Sequence, residues 1–223
     1  MTVARAIAML HPGEPLAPHD LWRAWDLDPL LVVPLIVTAA LYATGVRRLW
    51  RQAGTGRGVR RREVASFWAG WLTLVVALVS PLHPLGGALF AAHMTQHELL
   101  MVVAAPLLVL GQPGVAMVWG LPPAWRRPAT RWTHAPAVAR SWRWLGAPLQ
   151  AWWIHALLLW AWHVPRLYEG ALRSDAMHAA QHACFLGSAL LFWWVLLRAR
   201  LHGRGAAVGY LFGAMVVTGA LGA

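Results

Sequence analysis

Long apolar runs separated by short polar stretches dominate the 223-residue chain, at about 29–46, 64–80, 88–110, 146–164, 176–197 and 205–223, and Glu98 is the single charge inside them. Each run matches the length a helix needs to cross a hydrocarbon core of about 30 Å. None alternates with the period-2 pattern of a strand. The pattern therefore predicts an all-α membrane protein, a polytopic helical bundle of six transmembrane helices. Pro34, Pro106 and Pro148 fall within these runs, which a lipid-embedded bundle tolerates because neighbouring groups satisfy the freed carbonyls. Val115–Leu121 is apolar but short and bracketed by prolines, and it is expected to be an interfacial piece.

Composition agrees: 59% of residues are apolar and 12% charged, which excludes a disordered chain and an ordinary soluble enzyme. The formal charge of +11 comes from 19 arginines and no lysine, and its placement matters more than its size. Fifteen arginines fall in the connections 47–63, 111–145 and 198–204. Four fall in 1–28 and 165–175, and the turn 81–87 has none. By the positive-inside rule the first group is cytoplasmic, so 1–28 is an outer N-terminal segment and 29–223 the transmembrane bundle. The same placement removes the case for nucleic acid as a partner; the lipid bilayer is the partner these charges address. Trp50, Trp68, Trp142, Trp144, Trp162, Trp193 and Trp194 lie near predicted span ends as interfacial anchors. No secretory signal is recognisable, and the last apolar run stops without a polar flank, so the natural chain is expected to continue beyond residue 223.

Cys184 is the sole cysteine, which excludes an intrachain disulfide and any cysteine-based zinc site. Histidine is the unusual residue. Of eleven, only His134 and His202 fall in inner connections. Helix 3 opens with His93-Met94-Thr95-Gln96-His97 and helix 5 with His178-Ala179-Ala180-Gln181-His182, two copies of H-x-x-Q-H set 85 residues apart. Imidazoles at i, i+4 share a helix face at a separation that suits two ligands of one metal. Counting residues from the span ends puts His97, His155 and His182 in one layer, with His93, His163 and His178 in a second layer nearer the outer surface. Ionisable groups at such depth face a bundle interior or a partner. Those six are the candidate metal ligands, with His83, Met94, Met177 and Glu98 as weaker candidates. Imidazole suits copper, zinc, iron and nickel, and thioethers favour Cu(I). No catalytic residue is evident: His97-Glu98 lacks the second histidine of a zinc-protease motif. The same constellation leaves membrane di-iron and haem-binding readings open.

Ser80-Pro81-Leu82, Ala88-Leu89-Phe90, His93 to Met101, Ala105-Pro106-Leu107-Leu108, Trp162-His163-Val164-Pro165 with Tyr168, and His178 to His182, together with Asp20-Leu21-Trp22, Trp25 and Asp28-Pro29, carry a resemblance. Over about 10–200 the chain resembles the bacterial CtaG-type assembly factors of caa-type cytochrome c oxidases. The resemblance implies a multi-pass protein of the bacterial plasma (inner) membrane, not an enzyme, that works with cytochrome c oxidase subunits and binds and delivers copper as Cu(I) at the outer side.

Overall fold

In the computed structural model residues 24–198, 201 and 203–221 are described, and every regular element among them is a helix. The expectations resting on Arg5, His11, His19, Asp20, Leu21, Trp22, Arg23, Arg200 and His202 lie outside those residues.

The first span is α1 (Pro29–Ala53), opened by a proline in its first turn and by the Asp28 carboxylate, which accepts the Leu30 N–H at 2.9 Å. The second is α2 (Arg61–Leu78), whose Glu63 side chain reaches back to the Arg60 N–H at 2.7 Å. Where a turn is expected at 81–87, the chain forms a further short helix, α3 (Leu82–Ala88), bent 41° from α2. Pro81 at the break and the Ser80 hydroxyl, which accepts the Leu82 N–H at 3.2 Å, set that bend.

The third span is interrupted: α4 (Phe90–Glu98) passes into a wide π-helical turn (Leu99–Ala104) and then α5 (Ala105–Leu110). Pro106 is the local reason, because its ring clashes with the preceding turn and it has no N–H to donate. In the widened register the Ala105 N–H bonds the Leu100 carbonyl, so the next carbonyl, Met101, faces a proline nitrogen. The indole N–H of Trp193 donates to that carbonyl at 2.8 Å.

The long connection 111–145 is helical as well: α6 (Pro113–Gly120), α7 (Pro123–Thr133) and α8 (Pro136–Leu145). The expected interfacial stretch Val115–Leu121 instead packs into the bundle. Gly45 of α1 lies on the Ala116 carbonyl and Gly120 on the Leu41 carbonyl, so neither position has room for a Cβ. Small residues let two backbones meet where lipid supplies no hydrophobic drive between helices. By contrast α7 and α8 bury no residue and expose Trp125, Trp132, Trp142 and Trp144 among their arginines, the composition of helices lying in a headgroup layer.

The remainder is α9 (Pro148–Trp162), α10 (Pro165–Arg173), α11 (Asp175–Leu197) and α12 (Arg204–Gly219). Pro148, expected within a span, opens α9. Among the described residues three apolar paths are each long enough to cross a membrane, α1, α4 to α5 and α11, and the bent pair α2–α3, taken as one span, makes a fourth. Helices α9 and α12, where the other two spans are expected, have 15 and 16 residues. At about 1.5 Å per residue they fall short of a 30 Å core.

Tyr42 and Phe67, both buried, stack at 3.5 Å between α1 and α2, and the Tyr42 hydroxyl donates to the Gly111 carbonyl at 2.8 Å. Leu30, Ile36, Leu72, Leu157 and Phe212 are exposed, as a lipid-facing surface requires. At the end of the bundle where arginines gather, Arg48 donates to the carbonyls of Gly120 and Leu121 at 2.9 and 2.8 Å, closing the C-terminus of α6. Arg126 bonds the Trp119 and Leu121 carbonyls and lies over the Trp119 ring, while Arg198 bonds the Leu110 carbonyl at 2.9 Å.

Candidate metal centre

The two H-x-x-Q-H copies sit at the start of α4 and of α11, where the Ser174 hydroxyl accepts the Met177 N–H and begins the second helix just before its first histidine. Within each copy the i, i+4 spacing brings the imidazoles together: ring centres are 4.3 Å apart for His93 and His97 and 4.2 Å for His178 and His182. Between copies, His93 meets His178 at 5.4 Å and His97 meets His182 at 5.3 Å. First pairs with first and second with second, so the motifs face each other in parallel register. The four rings close a four-sided figure, for short the rectangle, whose opposite sides match to within about 0.1 Å.

The chemistry of this rectangle lies in what its nitrogens lack. The Nε2 atoms of His93, His97, His178 and His182 are all buried with no hydrogen-bond partner. A buried polar atom without a partner costs about 1–3 kcal/mol. Four such atoms in one place are difficult to explain as packing, whereas a metal ion would engage them. Ligand atoms of His93, His97 and His178 lie within 4.8 Å of one another, close enough to share one ion. No carboxylate belongs to that group. An all-imidazole set is neutral, so a univalent ion placed there brings one charge into the bundle, which limits the cost of burying it.

The other proposed ligands stand apart from the rectangle. Phe185, one turn beyond His182, lies against His97 at 4.8 Å and stacks near His163 at 6.2 Å. His155 lies deeper, hydrogen-bonded to Ser188 at 3.0 Å and against Phe192. Met94 and Glu98 line a cavity beside His97, and Met177 packs over Gly170. Cys184 is half-buried in the apolar cluster around Phe185.

His83 is the fifth imidazole at this end. It stacks on His178 at 5.3 Å and approaches His182 at 5.9 Å, yet both its nitrogens are engaged. The Gln96 amide donates to Nδ1 at 2.7 Å, so Nε2 carries the proton and points at Asp26 Oδ2, 3.2 Å away. The same amide donates to the Ala77 carbonyl at 2.7 Å.

Gln96 and Gln181 are the residues that attention to ligand types overlooks, although both stand inside the motif. Each is buried and each has an unpartnered Oε1. The repeat itself was the available signal, since a position kept between two copies along with their ligands is a candidate for holding them. Tyr168 of α10 also closes the site edge-on to His93 at 6.1 Å, the structural place of the tyrosine that follows Trp-His-Val-Pro.

The model of the cytochrome c oxidase caa3 assembly factor family matches residues 40–223, which include the helices that form the rectangle. The chain belongs to that family. The resemblance seen in the motifs is thus borne out, and with it membership among oxidase assembly factors built of membrane-spanning helices. No curated protein and no solved structure matches the chain.

Proposed function

We propose that this caa3 assembly factor binds Cu(I) in the rectangle of His93, His97, His178 and His182 at the outer side of the bacterial plasma membrane and delivers it to the oxidase without catalysing a reaction. The observation that carries the reading is the set of four buried Nε2 atoms with no partner. Copper is the cargo. Two or three imidazoles suffice for Cu(I), so four offer more donors than one ion requires, and a surplus lets the ion change partners without leaving the site. The arginine-rich connections at the opposite end support the orientation, with the N-terminal segment and the histidines outside. The rings of the rectangle, 4.2–5.4 Å apart, leave no slot for a haem plane between them. Purified protein is expected to bind copper stoichiometrically under reducing conditions, and the His97→Phe, His182→Phe double variant to lose it and to lower the copper-dependent oxidase activity of cells. Wild-type protein that binds no reduced copper would overturn the reading.

A further inference from the structure

Beside the rectangle lies a cavity of about 650 Å³, between α4, α9, α11 and α12, and its wall includes His97, His155 and His163 with three thioethers, Met94, Met101 and Met215. His97 therefore belongs to both the rectangle and this chamber.

The two histidines carried by α9, His155 within it and His163 at its C-cap, are each anchored through Nδ1. His163 Nδ1 lies 2.7 Å from the Leu159 carbonyl, which can only accept, so Nδ1 carries a proton. His155 Nδ1 lies 3.0 Å from the Ser188 hydroxyl, which also reaches the Phe185 carbonyl at 3.2 Å. Nε2 is the nitrogen that remains in each ring. Donation of the other ring N–H to a carbonyl or hydroxyl is how metal-binding histidines are commonly held. The contact alone is not diagnostic, because exposed His134 makes the same bond to Thr130 at 2.7 Å. What distinguishes His155 and His163 is that both line a chamber with three sulfurs and with a histidine of the first site.

We infer that this chamber is a second metal station, a His and Met site for a soft univalent cation, Cu(I) or its stand-in Ag(I), that exchanges its ion with the rectangle through His97. Thioethers select soft ions and bind them more loosely than thiolates, which fits a place where an ion pauses. The choice of metal rests on the copper-handling reading above.

The test is a titration of the purified full chain in lipid nanodiscs with Ag(I), with bound metal counted per chain, and copper X-ray absorption on the Cu(I)-loaded protein. Wild-type protein is expected to take two ions and to show sulfur as well as nitrogen around copper. The His155→Phe, His163→Phe double variant should take one. So should the volume-conserving Met94→Leu, Met101→Leu, Met215→Leu variant, which leaves packing intact and should also lose the sulfur signal. A His178→Phe, His182→Phe variant should keep one ion, now with sulfur among its ligands. If both chamber variants bind as much metal as wild type, the second station is overturned and the rectangle stands. If a single wild-type ion is lost from the chamber variants and kept by the rectangle variant, the rectangle reading falls instead. If nothing binds, both fall.

Discussion

Helix-terminal carbonyls at one end of the bundle and imidazole nitrogens at the other are treated in opposite ways. At the arginine end, helix-terminal carbonyls that would otherwise lack donors are met by side chains: Arg48 on Gly120 and Leu121, Arg126 on Trp119 and Leu121, Arg198 on Leu110. Gln112, in left-handed conformation at φ 50°, is tied there by its amide to Glu63 at 2.8 Å. At the histidine end, four imidazole Nε2 atoms and two glutamine Oε1 atoms are buried with no partner. A fold able to satisfy its carbonyls at one end has left nitrogens and oxygens unmet at the other. Unmet valence in a well-packed place points to a ligand, and met valence to structure.

Replacing the histidines should give the sharpest break in that contrast. A His93→Phe, His182→Phe double variant removes two unsatisfied buried nitrogens, about 1–3 kcal/mol each, and puts in a somewhat larger ring whose overpacking offsets part of that gain, so the metal-free protein is expected to become more stable while metal binding is lost. Thermal unfolding in detergent, with and without Ag(I), reads both. Wild-type protein should show the converse: bound metal at 100 times its Kd stabilises by about 2.7 kcal/mol. Loss of stability in the metal-free variant would mean that the imidazoles are packing after all.

Gln96 should come next. Its amide fixes the tautomer of His83 and bonds the Ala77 carbonyl, and it sits between the two ligands of its own motif. Gln96→Leu is expected to weaken metal binding about 10–100-fold without abolishing it, the usual scale for groups that orient a ligand. The check is a competition titration against a chelator of known affinity. Unchanged affinity would confine Gln96 to packing. Gly86 belongs to the same arrangement, because a Cβ there would stand 3.3 Å from Gln96 Oε1 and 3.4 Å from the His93 Cα.

Much of this was legible in the chain. Uniform apolar runs set the helical class, and the register of H-x-x-Q-H already paired His93 with His178 and His97 with His182 by depth. What stayed hidden had physical reasons. The i, i+4 rule fixes a face within one helix but says nothing about what a neighbouring helix packs against it, so the contact of Phe185 with both His97 and His163 was invisible. Apolarity also cannot separate a headgroup-layer helix from a packed one: Val115–Leu121 reads as interfacial until Gly45 and Gly120 are seen to seat it against α1. Arginine counting read sidedness and missed that Arg48, Arg126 and Arg198 also close helix ends.

At the arginine end the expected effects are on folding alone. Arg48→Ala leaves the Gly120 carbonyl without its charged donor, while Leu121 keeps Arg126, and is expected to cost about 1.5–3 kcal/mol, the range for hydrogen bonds to a charged group. Metal affinity, measured by the same chelator competition, should be unchanged. A fall in both together would show that the two ends are coupled and the contrast between them false.

The smallest effect lies between the ends, where the third span widens. Met101 has a carbonyl that its own helix does not satisfy, because the residue five positions on is Pro106, and Trp193 supplies the missing N–H from α11. Trp193→Phe keeps an aromatic ring but leaves that carbonyl unmet, at an expected cost of about 1 kcal/mol. Pro106→Ala restores a backbone N–H within the helix itself. In the double variant that N–H takes over the work of the indole, so the cost of losing Trp193 should shrink, and a double-mutant cycle of unfolding free energies should show coupling of about 1 kcal/mol. Additive costs would mean that the tryptophan serves only as packing. Coupling would show that the π-helical turn beside His97 is held open by a proline and closed from outside by a neighbour, which ties the geometry of one half of the rectangle to the helix that carries the other half.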